Sequence, residues 1–189
     1  MGDFQYRGPL SEQEVVEIFA KEGIEYQTRS ERYYNLKDTL FENVSGDYYI
    51  AYNDTIETGK PIAVQGIGRH EGVYVLLGLK SYGKSYAGEL DRSETAGAGL
   101  AVSQKVLGLH GDKPIIGLAL PTGVSTFKRQ GFTQIPVEDG RVVNNEDLPE
   151  DIIDVIEMLH AKEGTTTTPI RKLFYKSPVS WFALLKVKC

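Results

Sequence analysis

The sequence predicts an α/β (α+β) fold in one domain, a mostly antiparallel sheet with helices packed on it. Three observations carry that expectation. Three strand-like runs follow one another between Tyr48 and Leu79, separated only by turns, so antiparallel hairpins are the economical pairing. A glycine-bearing turn, Glu94-Thr95-Ala96-Gly97-Ala98-Gly99-Leu100-Ala101, runs straight into an amphipathic pattern. One apolar run, Pro114 to Leu120, then separates that helix from a short second one closed by Gly131-Phe132.

Each element has a local cause. Ser11-Glu12-Gln13-Glu14 is a capping box, followed at helical spacing by Val15, Val16, Ile18 and Phe19, with Gly23 as the stop. A second helix is expected from Ser30 through Tyr33, Leu36, Leu40 and Phe41. Tyr48–Tyr52, Ile62–Gly68 and Val73–Leu79 are rich in β-branched and aromatic residues, and the third is apolar enough to be central. Residues 81–96 read as a polar loop, and a helix is expected from about Gly97 to Leu107. The strand at 114–120 precedes a short helix over Gly123–Gln130 and an extended segment, Phe132–Pro136. Residues 137–148 read as loop. Pro149-Glu150-Asp151 opens a helix with acidic residues in its first turn, where the helix dipole favours them. Gly164 and Thr165–Thr168 end it, and Ser180–Lys188 reads as the last strand.

Bulk properties narrow the function. At 189 residues the chain can bury a substantial core without disulfides or metals. A net charge of −5 disfavours nucleic acid as a partner, although Arg171-Lys172 and Lys176 with Phe174 and Tyr175 form a local basic-aromatic segment. The single cysteine, Cys189, excludes an intrachain disulfide framework and points to a cytoplasmic location. No apolar signal core or membrane-spanning run is present, and Asn43-Val44-Ser45 carries no meaning as a glycosylation sequon in that compartment. His70, His110 and His160 lack metal-ligand spacing, so no metal is expected. No Ser-His-Asp order, nucleophile elbow, P-loop or CxxC pair occurs.

A glycine turn at a helix start offers unpaired amides and the positive helix end to phosphate oxygens. In this chain the order of elements and two motifs resemble the GNAT N-acetyltransferase superfamily, as a divergent member. Glu94-x-x-Gly97-x-Gly99 keeps both glycines of the family's phosphate turn but has Glu where Gln or Arg is usual. Phe127-Lys128-Arg129-Gln130-Gly131-Phe132 keeps the spacing of the second signature with Phe in place of Tyr. Tyr6-Arg7-Gly8-Pro9 before the capped helix is similar to the family's first strand. The resemblance spans most of the chain. It implies a GNAT-like, mixed, mostly antiparallel central sheet flanked by helices on both faces, with residues 137–178 an insertion carrying an extra helix before the last strand.

It further implies acetyl-CoA as co-substrate, its acetyl group transferred to an amine. Ala96, Gly97, Ala98, Gly99 and Leu100 would give amides to the pyrophosphate, beside Glu94. Leu77 and Leu79 would offer backbone groups to the pantetheine. Lys128 or Arg129, next to Phe127, would meet the adenosine 3′-phosphate. A base must take the amine proton and an acid must protonate the thiolate. Phe127 cannot donate a proton, so Ser125, Tyr82, Tyr86 or a water is the candidate acid, and Glu89 and Asp91 in the loop are candidate bases. The acceptor would be a small-molecule or peptide amine, and a homodimer is compatible with this reading.

Two alternatives keep the fold without acetyl transfer. Glu89-Leu90-Asp91-Arg92 resembles a segment of Mom-type phage DNA-modification proteins. The departures at Glu94 and Phe127 also fit a non-catalytic binding or inhibitor module.

Overall fold

The computed structural model describes residues 4–26, 46–70, 72–111, 113–119, 121–139, 141–143, 147–164 and 182–186. The helix expected from Ser30, the sequon, the threonine run, the basic-aromatic segment and Cys189 lie outside the described residues. The fold class is the expected one, a mixed α/β fold with a mostly antiparallel sheet and flanking helices. The chain divides into two compact units, the first comprising Met1–Thr28, Gly46–Gly68 and Leu76–Gly111, the second the remainder.

In the first unit, strands β1 (Gln5–Leu10), β2 (Gly46–Tyr52), β3 (Pro61–His70) and β4 (Val73–Ser81) follow one another in the sheet. β1 and β2 pair antiparallel through Gln5–Tyr52, and β2 pairs with β3 from Gly46–Gly68 to Tyr52–Pro61. Helix α1 (Glu12–Lys21) begins at the predicted capping box. The Ser11 hydroxyl accepts from the Glu14 N–H at 3.3 Å, and the Ser11 N–H donates to Glu14 Oε2 at 2.8 Å. Val15 and Phe19, four residues apart, share the buried face of α1, which packs on β2. The predicted loop 81–96 is more ordered than its polarity suggested. It holds a 3-10 turn (Gly83–Tyr86) and one helical turn, α2 (Arg92–Thr95), because buried Tyr86 anchors the first and Glu94 caps the second. Helix α3 (Ala98–Leu109) then packs on β2, with Ala98, Ala101, Val102, Ser103, Val106 and Leu107 buried.

In the second unit, the head of β4 pairs in parallel with β5 (Ile115–Ala119) at Tyr74–Ile115 and Val75–Ile116. β9 (Phe182–Lys186) pairs antiparallel with β5 on one side and β6 (Thr133–Ile135) on the other. Helix α4 (Pro121–Arg129) packs on β9, and α5 (Glu150–Gly164) buries Ile152, Val155 and Ile156. The predicted loop at 137–148 contains a small hairpin, β7 (Val137–Glu138) with β8 (Arg141–Val142). A carboxylate of α5 steadies it, Glu157 Oε1 accepting from the Val142 N–H at 2.8 Å.

Candidate functional site

The glycine turn and the distal part of β4 come together in the first unit. Gly97 has φ 84°, in the left-handed region where a side chain is strained, and it starts α3 with no side-chain cap. Helix geometry leaves the amides of Ala98, Gly99 and Leu100 without carbonyl partners inside the helix. An ideal Cβ on Gly99 would lie 3.9 Å from both Leu79 methyls and 4.0 Å from Ser81 Cβ. The first turn of α3 therefore rests against the end of β4, separated from it only by the absence of a side chain.

β4 changes its alternation at Gly78. Residues two apart on a strand share a face, yet Leu77 and Leu79 do not. Leu77 packs with Tyr48, both beside Gly66, where a Cβ would come within 2.6 Å of the Tyr48 ring and 3.0 Å of Leu77 Cβ. Leu79 lies on the other face, against α3. Gly78 has φ 115°, which lets the strand take up the slip.

Beneath this point sits Gln65, wholly buried in β3. Its Nε2 donates to the Gly66 carbonyl at 2.7 Å and to the Gly78 carbonyl at 2.9 Å. Both partners are acceptors, so only the amide nitrogen can occupy that position. Its Oε1 has no hydrogen-bond partner among the described residues, an omission that typically costs about 1–3 kcal/mol.

Several of the loop residues expected to serve proton transfer or the pyrophosphate have partners nearby. The Tyr86 hydroxyl donates to the Pro61 carbonyl at 3.2 Å, and burial, with Glu22 and Glu89 nearby, raises its pKa above the usual tyrosine value. Glu94 Oε2 accepts from the Asp91 N–H at 2.7 Å, and its Oε1 accepts from Asn53 Nδ2 at 3.2 Å. Asp91 is the residue from which α2 starts. Glu89 is exposed, 3.8 Å from Lys60 Nζ, which pairs more closely with Glu22 at 2.6 Å. Tyr82 is buried in an aromatic cluster with Phe19 and Tyr26, its ring centroid 4.5 Å from that of Phe19. Ala96 is exposed at the end of α2.

In the second unit, Phe127 packs edge-on against Phe132, centroids 5.2 Å apart, and Gly131 turns the chain between them at φ 85°. Lys128 and Ser125 are exposed. The Arg129 guanidinium folds back onto its own helix, Nε donating to the Ser125 carbonyl at 3.3 Å. Gln65, Asn53 and Lys60 acquire their partners only in the fold. A lone amide inside the apolar run Ile62-Ala63-Val64-Gln65-Gly66-Ile67 was the available signal for the first. Among the described residues, no group of three or more His, Cys, Asp or Glu is placed to hold a metal, and no helix is long and apolar enough to cross a membrane.

No protein-family model and no curated protein sequence matches the chain. Solved structures do. The ribosomal-protein-S18-alanine N-acetyltransferase of Escherichia coli superposes with a TM-score of 0.51 at 7% identity, over 98% of this chain and 94% of its own. Rv2747 of Mycobacterium tuberculosis, solved in complex with CoA, superposes with a TM-score of 0.51 at 15% identity, over 97% and 98%. This chain has the GNAT fold. At such identities the likeness is one of fold. Within the GNAT fold, the glycine turn and the slipped β4 are the features this chain presents side by side.

Proposed function

We propose that the protein is an acyl-CoA-dependent N-acyltransferase that moves an acetyl group from acetyl-CoA to an amine. The observation that carries this reading is the seating of the Gly97–Gly99 turn against Leu79 and Ser81, directly after the slip in β4. Open amides at a helix start suit a pyrophosphate. Backbone groups near Leu77 to Leu79 suit an amide-bearing pantetheine arm, which binds as an added strand would. One neighbour of the same fold was solved with CoA, and another is named for transfer to an alanine of a ribosomal protein.

The chemistry is direct transfer. The amine nitrogen attacks the thioester carbonyl, the new C–N bond replaces C–S, the amine loses a proton and the thiolate gains one. The acceptor is proposed as a small-molecule or peptide amine.

The test is thermal unfolding with acetyl-CoA. A ligand present at about one hundred times its Kd stabilises the native state by about 2.7 kcal/mol, enough to raise Tm clearly. Acetyl-CoA should do this, and ATP at the same concentration should not. An unchanged Tm at millimolar acetyl-CoA removes the reading. Binding without acetylation of any amine would instead favour a CoA-binding module, the reading to which the Phe127–Phe132 packing gives support.

A further inference from the structure

Gln65 is an anomaly in the core. It is wholly buried in an otherwise apolar stretch of β3, and half of its hydrogen-bonding capacity goes unused among the described residues. An aliphatic side chain of the same size would avoid that loss but would leave the Gly66 and Gly78 carbonyls without this donor. What the amide does is hold two carbonyls, and one of them belongs to Gly78, the residue at which β4 slips.

The direction of that hold matters. Gln65 pairs directly across from Tyr49 in the β2–β3 ladder, so the two side chains share a face. The Tyr49 hydroxyl is 3.2 Å from His110 Nε2 at the end of α3, so the shared face is the one that α3 covers. The Gly78 carbonyl is thus drawn toward α3. In a trans peptide the carbonyl and the following N–H point in opposite directions. The Leu79 N–H is therefore turned away from Gln65, and the left-handed φ of Gly78 permits the rotation.

We propose that Gln65 is a positioning residue for acyl transfer: by holding the Gly78 carbonyl it fixes the direction in which the Leu79 N–H is offered to the acyl-pantetheine arm. The role rests on the acyl-CoA reading above. Gln65 touches neither co-substrate nor acceptor and acts only through the peptide it holds.

Two substitutions test it. Gln65→Met keeps the volume and removes the donor. Gln65→Glu keeps the shape and donates one hydrogen bond only while its buried carboxyl is protonated. Acetyl-CoA affinity is measured by calorimetry, and the backbone resonances of Gly78 (carbonyl carbon) and Leu79 (amide) are followed by NMR. Gln65→Met should move both resonances in the unliganded protein and weaken acetyl-CoA about tenfold, the worth of one well-placed hydrogen bond. Gln65→Glu should bind nearly as the wild type does at low pH and progressively less as pH rises, while the wild type stays flat. If Gln65→Met does not fold, the pH dependence of Gln65→Glu decides. Wild-type binding together with unaltered binding by Gln65→Met, unmoved Gly78 and Leu79 resonances, or a pH-independent Gln65→Glu overturns the positioning role alone. A wild-type protein that does not bind acetyl-CoA overturns the acyl-CoA reading and this role with it.

Discussion

At Gly97 the backbone sits at φ 84°, and an added Cβ would meet nothing within 4 Å. Space is thus no obstacle to a side chain, and any cost of one is conformational. Gly97→Ala should lower stability by about 1 kcal/mol, the usual penalty for an L-residue held left-handed, a Tm loss of about 3 °C for a chain of this size. Gly66 presents the reverse case, since a Cβ there would meet the Tyr48 ring at 2.6 Å with no strain in φ. Gly66→Ala should cost about 1–3 kcal/mol by overpacking. Chemical denaturation of both variants checks the pair. A Gly97→Ala protein as stable as wild type would show that the left-handed turn is not maintained in solution. The glycines of the turn were legible in the sequence because spacing alone marks them. Gln65 was not, because its significance lies in a carbonyl thirteen residues away that only strand pairing brings near.

At the scale of elements, local rules served best where a helix is fixed by its own first turn. The capping box at Ser11 and Glu14 is formed as written in the sequence. Hydrogen bonds from the Ser11 amide and hydroxyl hold the Glu14 carboxyl below its ordinary 4.5. A carboxylate with a depressed folded-state pKa stabilises the native state above its unfolded pKa and loses that contribution as pH falls through the folded value. The stability gap between wild type and Glu14→Gln should therefore be constant above the ordinary carboxylate range and close as pH falls below it. Urea unfolding across that range measures it, and a gap that persists unchanged to the acid end would contradict the bond pattern. Local rules served less well in the 81–96 segment. Its polarity reads as loop, but Tyr86 is buried with its hydroxyl on Pro61 and Glu94 closes a cap at Asp91. The slip at Gly78 was also out of reach, because a bulge is defined by what its neighbours face.

At the scale of the whole molecule, the GNAT fold was legible from the order of elements and from two short motifs, although no family model matches the sequence. If acetyl-CoA binds as proposed, hydrogen exchange should slow at the amides of Ala98–Leu100 and Leu77–Leu79, and remain unchanged along α1. Protection elsewhere with none at these amides would place the ligand at a different site. The sequence by itself determined the longer strands from Tyr48 onward, the capped first helix and the glycine turn, since these follow from periodicity, capping and backbone freedom within a few residues. Only the tertiary structure decided that Glu94 also reaches Asn53, that Tyr86 is committed to a backbone carbonyl, and that Gln65 reaches Gly78. Those are contacts between segments distant in the chain, and a side chain's chemistry is set by the partner that folding brings to it.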